Sequence, residues 1–223
     1  MKQGTSALYL YIAILFVAVL LISNTVGVKL IEIGPLVLSG AVFLFPLSYI
    51  FGDVLTEIYG YRGSRRIIWA GFGAMALMTI SYLIVQYLPA ASFRGDQDAY
   101  ATILGIVPRL AIGSLVGYLV GEFANSFVLS KVKVWTNGRY LWLRAMSSTI
   151  VGQAVDTVLF ISIAFAGTIS GAGLVRTIIS SYIIKVLLEA IFLPVTYYVI
   201  RRLKEIEGID TFDRNISYNP FKI

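Results

Sequence analysis

Long apolar stretches separated by short polar segments make up nearly the whole chain. About 20 mainly apolar residues are needed to cross a bilayer core of about 30 Å as a helix, at about 1.5 Å per residue. Six stretches of this kind lie near 7–28, 35–57, 67–88, 108–130, 147–168 and 174–200. We therefore predict an all-α integral membrane protein with six transmembrane helices. Residues 1–223 form one transmembrane domain that ends in a short tail, 201–223.

The positive residues fall mainly in alternate loops. With both termini on one side, 13 of the 18 lysines and arginines lie on that side. Because positive loops remain in the cytoplasm, we predict that both termini are cytoplasmic. The first apolar stretch is too long for a signal-peptide core and lacks a small-residue cleavage site, so we expect it to be retained.

The composition agrees with a membrane protein and removes several kinds of chemistry. Hydrophobic residues make up 58% of the chain, charged residues 13%, and the mean hydropathy is +0.83. With no cysteine and no histidine, disulfides, thiolate metal sites and the commonest proton shuttle are excluded. We predict no metal and no cofactor. The net charge of +6 is explained by topology, so we predict contact with the lipid bilayer and no nucleic-acid partner.

Polar side chains recur inside the predicted helices at spacings of three or four, which place them on one helix face. These residues are Asn24 in the first helix, Asp53 and Glu57 in the second, Glu122 and Asn125 in the fourth, Gln153 and Asp156 in the fifth, and Lys185 and Glu189 in the sixth. Ionised groups at membrane depth are costly unless they are paired or face water. We therefore expect these residues to surround one shared cavity.

Structural roles remain open for individual residues. Lys185 and Glu189 are spaced to pair along their own helix, and Asp53 and Glu57 lie near enough to the cytoplasmic side to reach headgroups. Gly113, Gly117 and Gly121, at a spacing of four, allow close approach of another helix. The sequence leaves both packing within the chain and a homodimer open.

Two further features indicate what the cavity holds. Pro46 and Pro194 are expected to kink the second and sixth helices, as in transporters that bring backbone groups to a substrate. Phe45 and Tyr49 add aromatic faces beside the carboxylates and amides. Together these groups suit a flat ligand rich in N–H donors better than a sugar or a lipid.

Four stretches of the chain resemble the queuosine precursor transporters, which are grouped with vitamin-uptake transporters. They are FPLSYIFGDVLTEIYGYRGSRR (45–66), GEFANSFVLSKVK (121–133), RAMSSTIVGQAVDTVLF (144–160) and IIKVLLEAIFLPVTYYVIRRLKEIEGIDTFD (183–213), together with a terminal NPF. The resemblance spans about 20–221. It implies a six-helix carrier of the inner membrane that imports 7-cyano-7-deazaguanine, 7-aminomethyl-7-deazaguanine or a related base for tRNA modification.

A 7-deazaguanine presents N1–H and an exocyclic amine side by side, which matches a carboxylate. On this basis one of Asp53, Glu57, Glu122, Asp156 and Glu189 is expected to bind that edge, with Asn125 and Gln153 at the carbonyl. Which carboxylate does so stays open.

Three alternatives remain. One is a substrate-binding subunit that docks on a separate ATPase, since the chain has no G-x-x-x-x-G-K-[ST] pattern of its own. The second is an intramembrane enzyme with paired carboxylates, which no flanking sequence supports; we predict that the chain is not an enzyme. The third is a structural scaffold, which leaves the buried acids without a purpose.

Overall fold

The structure is a computed structural model, and it describes residues 6–27, 29–33, 36–91, 93, 95–104, 108–165, 167 and 170–222. The elements in chain order are α1 (Ala7–Val26), β1 (Leu30–Ile33), β2 (Leu36–Ser39), a 3-10 helix (Gly40–Phe43), α2 (Phe45–Tyr87), α3 (Gln97–Ile103), α4 (Pro108–Trp135), α5 (Leu141–Phe165) and α6 (Gly171–Glu207). Among the described residues, five helices are long and apolar enough to cross a membrane: α1, α2, α4, α5 and α6. The predicted helical membrane class is confirmed. The predicted helix ends at 28, 35 and 168 lie outside the described residues.

The second predicted helix is wrong in its first part. Strands β1 and β2 pair antiparallel, with Leu30 opposite Ser39, and the 3-10 helix follows before α2 begins at Phe45. The sequence contains a signal for this hairpin, because the dipeptide Gly-Pro stands between two short apolar segments, LIEI and LVLS. Pro46 lies in the first turn of α2, where its missing N–H breaks no helical bond, so the expected kink there is also wrong.

The part of α2 before Gly60, residues 45–59, runs antiparallel to α1. Gly52 lies against Phe16 in the middle of α1. Further along α2, Tyr59 packs edge-on against Tyr9 near the start of α1, with ring centroids 4.8 Å apart.

The part of α2 after Gly60, residues 61–87, runs parallel to α1 instead. The hydroxyl of Tyr9 donates to the carbonyl of Gly63 at 3.0 Å. The hydroxyl of Thr25, near the other end of α1, lies 3.2 Å from the hydroxyl of Tyr82. The chain therefore reverses direction at Gly60, and α2 forms a hairpin of two helical segments.

The backbone of Gly60 allows this reversal, and hydrogen bonds from the C-terminal tail, residues 209–222, stabilise it. Gly60 has φ 73° and ψ 175°, a backbone conformation that is accessible essentially to glycine alone. The break frees backbone groups on both sides. The carboxylate of Asp213 accepts from the amide of Tyr61 at 2.7 Å, and the amide of Thr211 donates to the carbonyl of Ile58 at 3.2 Å.

The tail is bound along its whole described length. Trp69 donates to the carbonyl of Pro220 at 2.8 Å, and Arg65 donates to the carbonyl of Asn219 at 2.7 Å. The hydroxyl of Ser6, before α1, donates to Glu207 at the end of α6 at 3.0 Å. The start of α1 and the end of α6 therefore lie at the same end of the bundle.

The glycine run packs α4 against α5. A Cβ at Gly117 would lie 2.9 Å from Oδ1 of Asp156, and a Cβ at Gly121 would lie 2.7 Å from the Cβ of Asp156. A Cβ at Gly113 would likewise lie close to the backbone of Phe160. The glycines thus allow close helix packing within one chain. α4 and α6 each pack against both α2 and α5, and among the described residues they have no extensive contact with each other.

Candidate functional site

A small polar cavity lies between α2, α4 and α5. Its lining residues come from α2 (Ser48, Tyr49, Gly52 and Asp53), α4 (Glu122 and Asn125) and α5 (Thr149 and Gln153). The cavity measures about 10 Å³, which is room for about one water molecule. Five of the residues proposed from sequence therefore meet at one place: Tyr49, Asp53, Glu122, Asn125 and Gln153.

Helical spacing places these side chains on the cavity. Tyr49 and Asp53 are four residues apart on α2, and Thr149 and Gln153 are four apart on α5, so each pair lies on one face. Gly52 leaves space for the acid of α4, since a Cβ there would lie 2.8 Å from Oε1 of Glu122.

Several acceptor atoms at this site are buried without a hydrogen-bond partner among the described residues. They are Oδ2 of Asp53, Oε1 of Gln153, the hydroxyl oxygen of Tyr49 and both carboxylate oxygens of Glu189. Asp53 is only 1% exposed, and it accepts a hydrogen bond from Asn125. Buried polar atoms are normally paired, so this concentration of unpaired acceptors marks a place where donors from a ligand or water belong.

Lys185 and Glu189, one turn apart on α6, do not pair with each other. The ammonium of Lys185 instead lies 2.6 Å from Oδ2 of Asp156 on α5, and 5.5 Å from the ring centre of Phe45. Glu189 is 1% exposed and interacts electrostatically with Asp53 and with Tyr49. It lies next to the cavity without lining it.

Glu57 lies in a different environment, which we call the Glu57 cluster: Glu57, Lys133, Arg144, Lys204 and Asp210. Arg144 binds Glu57 through two parallel bonds of 2.7 Å, from Nε to Oε2 and from Nη2 to Oε1. Lys204 lies 2.5 Å from Oε1 of Glu57, and Lys133 donates to the backbone carbonyl of Glu57. The carboxylate of Glu57 is thus occupied by cations, and the structure separates it from the cavity.

Asp210, in the tail, joins this cluster from outside the helices. Lys133 and Lys204 lie 2.5 and 2.9 Å from its Oδ1. Burial alone would raise the pKa of the Asp210 carboxyl, but the hydrogen bonds and charges of the two lysines outweigh burial and hold this pKa below its usual value.

Asn24 and Phe45 also lie away from the cavity lining. Asn24 donates to the carbonyl of Leu20 at 2.9 Å and accepts from Ser114 of α4 at 2.8 Å, so it links α1 to α4. The ring of Phe45 stacks on that of Tyr49 with centroids 6.3 Å apart and an angle of 22° between the rings. Phe45 therefore contacts the cavity through the ring of Tyr49, which lines it.

Sequence reasoning missed two groups of residues. Ser48, Gly52 and Thr149 line the cavity, and the i, i+4 spacing of Thr149 to Gln153 was a usable signal for one of them. From the sequence, the cations of the Glu57 cluster indicate only which loops face the cytoplasm. No local pattern assigns Arg144 to Glu57, because 87 positions separate them in the chain.

The arrangement suits binding of a small donor-rich molecule. Carboxylate and amide oxygens face one enclosed point, Asn125 and Tyr49 supply donors, and an aromatic pair lies beside them. Among the described residues no three acidic side chains are arranged to hold a metal ion.

Comparisons with known proteins show the family to which the chain is similar. Residues 39–199 match the family described as "Putative vitamin uptake transporter". The "Probable queuosine precursor transporter" of Bacillus subtilis (strain 168) is 32% identical over 176 residues, which cover 78% of this chain and 77% of that protein.

Two further relatives are similar over about half of their own length. The "Queuosine precursor transporter" of Escherichia coli (strain K12) is 31% identical over 55% of this chain and 53% of that protein. The "Probable queuosine precursor transporter" of Haemophilus influenzae is 30% identical over 54% of this chain and 49% of that protein. All three are named transporters and none is named an enzyme. No solved structure matches the chain significantly.

Proposed function

The chain belongs to the vitamin uptake transporter family, and from that premise we propose that it is a multi-pass transporter that imports queuosine precursors across the inner membrane. The observation that carries this proposal is the set of unpaired, buried acceptors around one cavity. Its substrates would be 7-cyano-7-deazaguanine, 7-aminomethyl-7-deazaguanine or a related base, which enter tRNA modification. The proposed topology has six spans, with both termini in the cytoplasm and α2 supplying two of the spans.

The donor edge of the base, N1–H beside the exocyclic amine, needs a carboxylate that can offer both oxygens. Asp53 already gives one oxygen to Asn125, so we assign this edge to Glu122 on α4, the other carboxylate that lines the cavity. The free Oδ2 of Asp53 would accept the N–H of the pyrrole ring, which every free deazaguanine base carries. The hydroxyl of Tyr49 and the amide of Asn125 would donate to the ring carbonyl.

This conformation is closed around the site. Ligand cavities usually measure about 300 Å³ or more, far above the void between α2, α4 and α5, so the helices must separate before a base enters. The Glu57 cluster lies one helical turn from Asp53, toward the end of the bundle that holds both termini. We propose alternating access, in which this charged cluster closes the cytoplasmic side and opens to release the base.

Uptake measurements test the function directly. Cells that cannot make queuosine precursors would express the chain and receive labelled deazaguanine bases, with labelled guanine as the competing purine. Deazaguanine uptake is expected, and guanine uptake is expected to be lower. An uncoupler added in parallel separates proton-linked import from facilitated diffusion.

Purified protein in liposomes tests whether the chain works alone. Uptake without any added ATPase supports a self-sufficient carrier. Uptake that requires an ATPase subunit would support the alternative of a binding subunit in a larger importer. If no deazaguanine enters cells or liposomes under either condition, the proposed function is wrong.

A further inference from the structure

Glu189 is a buried acid without a hydrogen-bond partner in the part of the chain that the structure describes. It lies on α6 with 1% of its surface exposed, and neither of its carboxylate oxygens has a hydrogen-bond partner among the described residues. An isolated carboxylate away from water costs several kcal/mol, by the usual order of magnitude for buried ions. A residue retained under this penalty is expected to bind something in the working protein.

The nearest cation on the same helix, Lys185, is already paired with another acid. Lys185 is one turn away from Glu189, but its ammonium is 2.6 Å from Oδ2 of Asp156 and 3.4 Å from the hydroxyl of Thr157, both on α5. Arg144, Lys133 and Lys204 are bound in the Glu57 cluster. In the described part of the chain, these four cations are therefore each bound to an acid other than Glu189.

A second acid makes the local charge more negative. Glu189 interacts electrostatically with Asp53, whose Oδ2 is also buried and unpaired. Two nearby carboxylates without a counter-ion repel each other, and a positive charge bound between them relieves the repulsion of both. This pair therefore favours a cationic group over a neutral group of the same size.

Glu122 and Glu189 approach the site from different helices. Glu122 is on α4 and Glu189 on α6, and these helices pack separately against α2 and α5, which carry Tyr49, Asp53 and Gln153 between them. Asp53 and Tyr49 each interact electrostatically with both glutamates. In a deazaguanine base the substituent at position 7 projects away from the donor edge, so a base held at Glu122 would direct this substituent toward α6.

We propose that Glu189, with Asp53 beside it, binds the ammonium group of a cationic substrate, so that the protein prefers a base with an aminomethyl substituent to one with a nitrile. This inference rests on the proposed function and specifies in addition that the preferred substrate is positively charged. A nitrile is neutral and accepts hydrogen bonds only, so it would leave Glu189 unpaired and face both carboxylates with its negative end.

The test is the ratio of two uptake rates in liposomes that contain the purified full chain. Labelled 7-aminomethyl-7-deazaguanine and labelled 7-cyano-7-deazaguanine are supplied separately, at equal concentration. In Glu189→Gln the ratio of aminomethyl to nitrile uptake should fall by about 10- to 100-fold, the usual effect of losing a hydrogen bond to a charged group. Glu189→Asp keeps the charge and should restore part of the ratio.

Glu205→Gln is the matched control, because Glu205 is an acid on the same helix that pairs with Arg201 and Arg202 at the surface. Its uptake ratio should equal that of the wild type. An equal fall of both rates in Glu189→Gln would leave the ratio unchanged and overturn the inference in favour of a structural acid. A wild type that prefers the nitrile would overturn it as well. If the wild type imports neither base in cells, or in liposomes with or without an added ATPase, the proposed function itself fails and the inference fails with it.

Discussion

At the scale of single residues, Asp53 and Glu57 lie one helical turn apart in α2 with opposite surroundings. Glu57 is fully buried and bound by Arg144 and two lysines. Asp53 is just as buried, with one oxygen unpaired and acids for neighbours. A buried carboxylate is therefore paired with cations at one position, whereas at the other it keeps an oxygen without a hydrogen-bond partner among the described residues, where we propose that a ligand binds.

Asp53→Asn should consequently abolish uptake without harming the fold. The new amide presents N–H groups where the ligand's ring N–H needs an acceptor, so uptake of both bases should fall by about 100-fold or more. Since the change also removes a buried charge beside Glu189, the midpoint of thermal unfolding in detergent should stay equal or rise.

Glu57→Gln is the matched comparison for this prediction. It removes the carboxylate that binds Arg144 and leaves Lys133 and Lys204 with Asp210, and breaking a buried ion pair costs about 3–5 kcal/mol. Its unfolding midpoint should fall clearly. Normal uptake in Asp53→Asn, or a loss of stability as large as that of Glu57→Gln, would remove Asp53 from the proposed site.

At the scale of the elements, α2 depends on one glycine and on the tail that binds it. Gly60 turns the helix back on itself, and Asp213 and Thr211 then satisfy the backbone groups that the break leaves free. Asp213 also accepts from Ser130 of α4 at 2.6 Å. The tail, although too short to fold alone, therefore fixes the hairpin that carries Asp53 into the bundle.

Gly60→Ala should be strongly destabilising. An added Cβ would lie 2.7 Å from Oδ1 of Asp213 and from a methyl carbon of Thr211, and the backbone conformation itself costs about 1–3 kcal/mol for a residue with a side chain. Thermal unfolding in detergent measures the effect.

Gly73→Ala provides the control on the same helix. A Cβ at Gly73 would meet nothing within 4 Å, and replacing a helical glycine by alanine typically stabilises by about 0.5–1 kcal/mol. The two substitutions should thus shift the unfolding midpoint in opposite directions. Equal midpoints for the two variants would contradict the role assigned to Gly60.

At the scale of the whole molecule, the Glu57 cluster connects the parts that the proposed alternating access would move. It joins α2, α4, α5 and α6 to the tail, at the end of the bundle where α1 begins and α6 ends. Opening this end requires several ion pairs to break at once. A cooperative closure of this kind is what alternating access needs on one side of the site.

The stability that Asp210 adds to this cluster should depend on pH, and Asp210→Asn should remove that dependence. The pKa of Asp210 is lowered in the folded protein, so its contribution to stability is fully present above the unfolded-state pKa of about 3.9 and is lost as the pH falls through the lower, folded-state pKa. The wild type should unfold at a higher temperature than Asp210→Asn near neutral pH, and the gap should narrow as the pH falls below about 4.

Asp98→Asn, at an exposed acid of α3, should show no such gap at any pH. The measurement is the unfolding midpoint of the three proteins in detergent across this range. A gap between wild type and Asp210→Asn that stays constant to the lowest pH would show that the charge of Asp210 adds nothing.

The sequence by itself determined the membrane class, the approximate positions of the long helices and the presence of costly acids inside them. These properties are local, because the bilayer thickness and the rise of a helix set the length of an apolar stretch, and helical spacing sets which residues share a face. The resemblance to a family was also carried by contiguous stretches, such as 45–66.

Only the tertiary structure decided which acids remain free. Lys185 pairs with Asp156 across two helices and not with Glu189 along its own, and Arg144 reaches Glu57 from 87 positions away. The same holds for the hairpin before Phe45 and for the tail that caps Gly60. Such pairings depend on which helices become neighbours, and that choice is made by the packing of the whole bundle, which no short stretch of sequence encodes.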